Sequence, residues 1–334
     1  MPSRATSNLI YLLCFGDSEY RRMTELCIES LRGPGRFSGD IMVFTDGCYI
    51  TSRPDVIVYD ASHIIERYVE TIQDTVESTA VSQGAVDNSV AWHEHQMDAA
   101  AAIRKAAIKA LKPELAFVID HTRYARIAVM DTDMLAIDDV NPFFDVVADG
   151  VVGILEGQLG NTMLSESCGG ALVRPDELAE AGARTGICVG FLCATPKVFQ
   201  YSMTQWSQAI RTDAQRLNFW ADQPYFNVLV LRNQIPFQPL PDMWIDNPPQ
   251  YVLHGVGHFA LHDETKLFHF WWFEKEIAIA QMESLLAAIR DGASRHDLDV
   301  ILRDQLTSLR AAVAAGTSLA ECRDLVTRSA TRQN

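Results

Sequence analysis

The sequence predicts an α/β fold, with a mostly parallel central sheet flanked by helices, from three observations near its N-terminus. The apolar run 8–15 is short and stops at a turn, as buried strands do, and residues 19–32 then follow a helical period. The break Gly33-Pro34-Gly35 ends that helix. Two further apolar runs, 40–45 and 56–59, come next. Strand, helix, strand, strand is the order that opens a doubly wound parallel sheet.

The rest of the chain continues this alternation, because short apolar runs are followed by stretches of helical period. The predicted helices cover 62–97, 97–111 with a stop at Pro113, 196–216, 222–231 and the chain from 274 onwards with breaks at Gly292 and Gly316. The predicted strands cover 126–130, 134–137, 151–155, 170–173 and 188–194. Residues 235–273 are rich in Pro, His and aromatic residues and are too irregular to assign.

The net charge restricts the class of ligand. The chain has 334 residues and an ordinary globular composition, but its formal charge is −15. Binding to nucleic acid needs clustered Lys and Arg, so the charge argues against a nucleic-acid partner. A phosphorylated ligand must therefore be small, and a divalent cation between carboxylates and phosphates would balance the charge.

The compartment follows from what the sequence lacks. The apolar run after the N-terminus is too short for a secretion signal, and no stretch approaches the roughly 20 apolar residues of a membrane-spanning helix. The seven cysteines are scattered, odd in number and without a Cys-x-x-Cys pair, which favours neither a disulfide framework nor a thiolate zinc site. We expect a cytoplasmic protein without a transmembrane segment.

One acidic pair stands where ligands bind in α/β proteins. Asp131-Thr132-Asp133 directly follows the apolar run 126–130, so it is predicted at the carboxyl end of a buried strand. Two carboxylates there can hold a hard cation. The pair Asp297-Leu298-Asp299 has the same pattern inside a predicted helix, and we interpret it as a solvated helix face.

These segments together resemble the GT-A glycosyltransferases, which are Rossmann-like enzymes that hold a nucleoside diphosphate sugar through Mn²⁺ or Mg²⁺ on an Asp-x-Asp motif. The chain looks most like glycosyltransferase family 8, the glycogenin and bacterial galactosyltransferase group. The resemblance rests on a base-binding edge at 12–17, a basic helix at 99–111, the segment 125–135, the strand Val189-Gly190-Phe191-Leu192, the pair Asp222-Gln223, and His269 with Lys275 six residues later.

The resemblance implies a domain plan and an activity. Residues 1–276 would form the GT-A catalytic domain, with a donor-binding part at about 8–137 and an acceptor-side part at about 138–276. Residues 277–334 would form a helical C-terminal extension, which we expect to pack on the domain or to form a homodimer. The activity would be metal-dependent transfer of a sugar from a nucleotide sugar, a UDP-hexose, to an acceptor of unknown kind, with retention at the anomeric carbon.

The resemblance also assigns the metal ligands. Asp131, Asp133 and His269 would hold the ion, and the imidazole favours Mn²⁺ over Mg²⁺. A hydrogen-bonded core histidine is the alternative for His269. Lys275 would neutralise a donor phosphate as a point charge.

The remaining donor-binding residues lie at strand ends and on the basic helix. Each has a structural alternative: a plain strand-to-helix turn for 14–17, burial on the first helix for Tyr20, and a solvated face for Arg104. The predicted set is Cys14, Phe15, Gly16, Asp17, Tyr20, Arg104, Thr132, Gly190 and Lys275.

Asp222 and Gln223 would lie beside the transferred sugar as the catalytic pair, although helix capping would also explain Asp222. Trp271 and Trp272 would stack on an acceptor sugar, although neighbouring strand residues face opposite ways and one of them can belong to the core.

Two rival functions and two further motifs remain open. A nucleotidyltransferase shares the fold class but should carry a basic Gly-rich loop after the first strand, where residues 15–19 are acidic instead. A non-catalytic binding module is the other rival.

The histidines 254, 258 and 262 recur at a helical spacing that could hold zinc, but Gly255 and Gly257 argue against a helix there. His93-Glu94-His95 lacks a metalloprotease spacing and is interpreted as surface.

Overall fold

A central seven-stranded sheet is the main element of the computed structural model, which describes residues 7–83, 99–156, 160–217, 220–255, 257–272, 274–318, 322 and 326. Its strand order is β3-β2-β1-β4-β7-β6-β8, and a second sheet has the order β5-β10-β9. Four of the six neighbouring pairs in the large sheet are parallel. The predicted α/β class with a mostly parallel sheet is confirmed.

The strands are β1 (Ser7–Cys14), β2 (Asp40–Thr45), β3 (Val56–Asp60), β4 (Tyr124–Met130), β5 (Met134–Ala136), β6 (Val151–Leu155), β7 (Ile187–Ala194), β8 (Phe237–Pro239), β9 (Ile245–Asp246) and β10 (Leu267–His269). The helices are α1 (Ser18–Arg32), α2 (Ser62–Gln83), α3 (Ala99–Lys109), α4 (Lys112–Leu115), α5 (Pro142–Asp145), α6 (Leu178–Ala183), α7 (Pro196–Thr212), α8 (Gln223–Leu231), α9 (Gln250–Leu253), α10 (Lys275–Arg290) and α11 (Arg295–Ala314).

Strand β1 shows why the sheet is covered on both faces. Its successive side chains enter two different hydrophobic clusters, Ile10 and Leu12 in one and Leu9 and Tyr11 in the other. Alternate strand residues point to opposite faces, so both faces of β1 are buried. A continuous apolar run is the sequence pattern that such a strand requires.

The strand order reverses at β1, so the carboxyl end of β1 is a topological switch point. Strand β2 lies on one side of β1 and β4 on the other, and both pairs are parallel. The chain therefore runs from β1 to β2 and β3 on one side and then crosses to β4 on the other side. Ligands of open α/β sheets bind at such a switch point. The residues after β1 and after β4 meet at this edge.

Strand β5 of the second sheet was predicted, as the strand 134–137, but the other two strands lie in the region that the sequence left unassigned. Strands β9 and β10 have two and three residues, too few for a recognisable alternation. Strand β10 pairs antiparallel with β5, with His269 opposite Met134. This pairing brings His269 next to the segment that follows β4.

Two sequence expectations about elements need correction. The predicted strand at 170–173 is a short 3₁₀ helix, Gly170–Leu172, in which Gly170 has a φ of 37°. Pro113 does not stop a helix but lies in the first turn of α4, where its missing N–H costs nothing. The helix predicted at 62–97 is present as α2 up to Gln83, and the rest of that stretch lies outside the described residues, as does His93-Glu94-His95.

The two C-terminal helices belong to the same hydrophobic core as the sheet. Met282 of α10 and Leu302 of α11 are fully buried and lie in one cluster with Ile10 and Leu12 of β1. On the surface Arg22 of α1 pairs with Glu283 of α10. The boundary at 276 and the homodimer remain predictions. Among the described residues, no helix is both long enough and apolar enough to cross a membrane.

Shortening a side chain in α11 tests whether the C-terminal helices stabilise the whole fold. We expect Leu302→Ala to lower the free energy of unfolding by about 2–5 kcal/mol in one cooperative urea transition, because it leaves a cavity in the shared core. The exposed Thr307→Ala is the control and should stay within about 0.5 kcal/mol of wild type. A separate early transition in Leu302→Ala would contradict a shared core.

Candidate metal centre

Main-chain hydrogen bonds position the two carboxylates that follow β4. The N–H of Asp131 donates to the carbonyl of Gly190 on β7 over 2.8 Å. The carbonyl of Asp133 accepts from the N–H of Phe270, just after β10, also over 2.8 Å. Asp133 and the intervening Thr132 are buried. The Asp-x-Asp segment is thus fixed to β7 on one side and to β10 on the other.

His269 completes a cluster of potential metal ligands. Its Nε2 lies 3.3 Å from Oδ1 of Asp133. One ligand atom each from Asp131, Asp133 and His269 lie within 4.8 Å of one another, and among the described residues no other group of three or more His, Cys, Asp or Glu side chains does this. The structure therefore brings together the three ligands that the sequence predicted, while His254, His258 and His262 form no such group.

The cluster fits a divalent cation. Oδ1 of Asp133 is buried and has no hydrogen-bond partner, although an imidazole nitrogen lies 3.3 Å away. A buried, unsatisfied carboxylate oxygen is costly, and a cation shared with the imidazole would satisfy it. Two carboxylates and one imidazole suit Mn²⁺ and Mg²⁺, the imidazole favouring Mn²⁺.

Gly190 makes room for the imidazole. A Cβ atom on Gly190 would lie 2.8 Å from Cε1 of His269, 2.8 Å from Cε of Met134 and 3.3 Å from Oδ2 of Asp131. Real Cβ contacts are essentially never this short, so only glycine fits here without displacing the ring. Gly190, predicted as a donor-binding residue, directly borders the cluster of Asp131, Asp133 and His269.

Lys112 is a site residue that the sequence analysis missed. Its Nζ lies 2.8 Å from Oδ1 of Asp131 and 3.8 Å from Oδ2 of Asp222, and it donates to the carbonyl of Val189. The hydroxyl of Tyr11 on β1 donates to the Lys112 carbonyl and fixes its main chain. Burial lowers the pKa of Lys112, but the two carboxylates outweigh burial and raise it above its usual value. Lys112 is therefore charged and joins two acidic groups.

Lys275, at the start of α10, forms an ion pair with Asp133. Its Nζ lies 3.3 Å from Oδ2 of Asp133 and 5.8 Å from the centre of the Tyr20 ring. Burial alone would raise the pKa of Asp133, yet the charge of Lys275 beside it holds that pKa well below its usual range. Asp133 is therefore a carboxylate at neutral pH, as a metal ligand must be.

Asp222 has a buried carboxylate whose environment opposes ionisation. Burial, with Asp131 nearby, raises its pKa to about 6 despite the charge of Lys112. Oδ2 of Asp222 has no hydrogen-bond partner. Asp222 precedes α8, but its side chain makes no cap hydrogen bond, so capping does not explain this residue. The preceding Ala221 has a φ of 51°, a left-handed conformation that costs about 1 kcal/mol and sets the direction of Asp222.

Gln223 is held at both ends of its amide. Its Oε1 accepts from the N–H of Val189, and its Nε2 donates to Oε1 of Glu156 over 2.9 Å. Glu156 also accepts from Asn161 and from the thiol of Cys168. Glu156 follows β6 and is a half-buried acidic group near the predicted catalytic pair. No sequence motif marks Glu156, because only the fold brings it to Gln223.

The residues after β1 form a strand-to-helix turn. Cys14 and Phe15 are buried, Gly16 adopts a φ of 98°, and the Asp17 carboxylate caps α1 by accepting from the N–H groups of Glu19 and Tyr20. These residues therefore form the strand-to-helix turn that was the alternative interpretation. Their contact with a nucleotide remains a prediction.

The basic helix α3 carries two positive residues with different burial, and the contact of Arg104 with a donor remains a prediction. Arg104 is exposed on α3. Lys109 is half-buried at the end of the same helix, and its pKa falls to about 8, chiefly through burial and then through Lys105 and Lys275. Lys109 therefore lies among the charges of the site.

The two adjacent tryptophans, Trp271 and Trp272, have different environments in the structure. Trp272 is fully buried and its indole N–H donates to Gln281 of α10, so it is a core residue and the prediction that it stacks on an acceptor was wrong. Trp271 is half-buried, with its ring 5.9 Å from that of His254. The second acidic pair is not a solvated face throughout. Ser294 is the N-cap of α11 and the Asp297 carboxylate accepts from its N–H in a capping box, while the Asp299 carboxylate accepts from the N–H of Leu261.

No protein-family profile and no curated protein matches the chain. Among solved structures, the chain is similar to mouse xyloside xylosyltransferase 1 in its apo form, with a TM-score of 0.50 and 10% sequence identity. The likeness covers 80% of this chain and 98% of that one. The chain has the GT-A fold. At this identity the likeness establishes the fold alone, and membership of family 8 remains a prediction.

Removing the lysine that joins Asp131 and Asp222 should destabilise this GT-A domain. We expect Lys112→Met to lower the free energy of unfolding in urea by about 3 kcal/mol, because a buried carboxylate loses its counter-charge. Arg22→Met breaks the exposed pair with Glu283 and should cost about 0–1 kcal/mol. Equal losses in the two variants would show that Lys112 is not a buried counter-ion.

The raised pKa of Asp222 predicts a pH dependence. An aspartate whose pKa is about 6 when folded and about 4 when unfolded binds its proton more tightly in the folded state. The stability of wild type relative to Asp222→Asn should therefore rise as the pH falls from about 6 to about 4. Unfolding of both proteins in urea across this range measures the difference, and a flat or opposite trend would contradict the raised pKa.

Proposed function

We propose that the chain is a metal-dependent glycosyltransferase that moves a sugar from a nucleoside diphosphate sugar, a UDP-hexose in the first instance, to a hydroxyl acceptor with retention of configuration. One observation carries the proposal: Asp131, Asp133 and His269 converge within 4.8 Å at the carboxyl edge of β4, in a GT-A fold. The proposal is supported by the position of this edge at a switch point of the strand order, because open α/β sheets bind their ligands at such points.

The charges at this edge suit a diphosphate leaving group. Asp131, Asp133 and His269 would hold Mn²⁺ or Mg²⁺, and a bound ion supplies Lewis-acid stabilisation of the negative charge that develops on the departing diphosphate. Lys275 would offer its ammonium group to a phosphate oxygen, since it is held beside Asp133. Lys112 would balance the negative charges of Asp131 and Asp222 while the donor binds.

The buried carboxylate of Asp222, on the other side of Lys112, suits the sugar. Positive charge develops on the anomeric carbon as the leaving group departs, and a nearby carboxylate stabilises it. Asp222 would provide this charge, and Glu156 would fix the amide of Gln223 against sugar hydroxyls. Trp271 is half-buried and would offer a ring face to the acceptor.

Binding of the nucleotide should depend on the metal. We expect isothermal titration of wild type with UDP to give heat in the presence of Mn²⁺ and little without it, because the ion joins the diphosphate to Asp131 and Asp133. Asp133→Ala should lose at least about 10–100-fold in UDP affinity and lose donor hydrolysis and transfer, while its melting temperature shows that it folds. Asp304→Ala, an exposed aspartate on α11, is the matched control.

A panel of donors would then test the chemistry. UDP- and GDP-sugars, including UDP-xylose because the structural neighbour is named a xylosyltransferase, are incubated with Mn²⁺ and scored for release of the nucleotide. The anomeric configuration of any product, read by NMR, tests retention. Metal-dependent UDP binding without turnover of any donor would favour a non-catalytic module, and an active Asp133→Ala would refute the assignment.

A further inference from the structure

A cysteine lies against the histidine of the metal cluster. Sγ of Cys188 is 3.8 Å from Nδ1 of His269, within hydrogen-bonding reach for sulfur. Both side chains are buried, with 8% and 4% of their surface exposed. The other ring nitrogen, Nε2, is the one that faces Asp133. The two nitrogens therefore have different partners: a thiol for one and the ligand cluster for the other.

Strand β7 also fixes the plane of the imidazole. Cys188 and Gly190 are two residues apart on β7, so their side-chain positions share one face of the strand. The ring's Cε1 packs where a Cβ of Gly190 would be, and its Nδ1 meets the Cys188 sulfur. The ring can neither move towards β7 nor rotate freely without losing the sulfur contact.

We propose that Cys188 is a positioning residue for the metal centre: its sulfur accepts the Nδ1–H of His269 and so fixes the tautomer that turns the Nε2 lone pair towards Asp131 and Asp133. This inference rests on the proposed function, because it assumes that the cluster binds a divalent cation. The partner on the second nitrogen of a metal-ligating histidine sets its tautomer and orientation.

The geometry around Nε2 supports this tautomer over the other. A neutral imidazole carries one proton, and a proton on Nε2 would block metal binding. Oδ1 of Asp133 lies 3.3 Å from Nε2 but has no hydrogen bond, so a proton on Nε2 is not aimed at it. The sulfur of Cys188 is in place to accept a proton on Nδ1. A buried N–H requires an acceptor, and the one in position is on the Nδ1 side.

Three variants of β7 separate this role from packing. Cys188→Ala removes the acceptor, Cys188→Ser keeps an acceptor of similar size, and Cys193→Ala removes a second fully buried cysteine on the same strand. Free Mn²⁺ is measured by electron paramagnetic resonance during titration of each full-length protein. We expect Cys188→Ala to weaken Mn²⁺ binding about 10–100-fold, and Cys188→Ser and Cys193→Ala to stay within about threefold of wild type.

The tautomer is read directly by NMR. In ¹⁵N-histidine-labelled protein loaded with Mg²⁺, or without metal at a pH where the ring is neutral, His269 should carry its proton on Nδ1, with the signal assigned from His269→Gln. Cys188→Ala should lose this preference and Cys188→Ser should restore it.

The outcomes distinguish the two proposals. A wild type that binds no Mn²⁺ refutes the proposed metal centre, whereas the NMR tautomer still tests Cys188. Unchanged Mn²⁺ affinity in Cys188→Ala, equal losses in the Ala and Ser variants, or a proton on Nε2 in wild type would each overturn the role of Cys188. Melting temperatures of all variants show whether a lost affinity reflects lost folding.

Discussion

The balance of buried charge at the carboxyl end of β4 is the constraint on which the rest of the structure depends. Asp131, Asp133 and Asp222 lie at one edge of the sheet, and ionised carboxylates cannot be buried together without cations. Lys112 and Lys275 supply two. The two lysines come from distant parts of the chain. Helix α4, which starts at Lys112, and helix α10, which starts at Lys275, must therefore both be in place before the acidic edge is stable.

The same constraint explains the division of the site into two halves. Asp133 is held ionised beside Lys275 and His269, whereas burial raises the pKa of Asp222. Similar carboxylates thus acquire different properties from their surroundings, which would let one site hold both a metal ligand and a group suited to a reacting sugar. Strand β7 lies between the halves and contacts each: Gly190 borders His269, and the main chain at Val189 binds both Lys112 and Gln223.

Much of this could be predicted from the sequence, and the exceptions have physical causes. The Asp-x-Asp pair was recognisable because it follows a buried strand, and His269 because of its spacing to Lys275. Lys112 was missed because a lysine beside a proline resembles a helix end, and nothing local shows that it is buried between two carboxylates. Trp272 was predicted to stack on an acceptor sugar because the sequence alone cannot show which of two adjacent tryptophans enters the core.

The sequence by itself determined the α/β class, the order of the main strands and helices, and the position of the acidic pair, because apolar periodicity and strand ends are local properties. Only the tertiary structure decided which side chains meet. The short strand that carries His269 forms by pairing with β5, Glu156 reaches Gln223 through the sheet, and Cys188 contacts His269 across 81 residues of chain. Such contacts are set by packing between distant segments, and no local pattern encodes them.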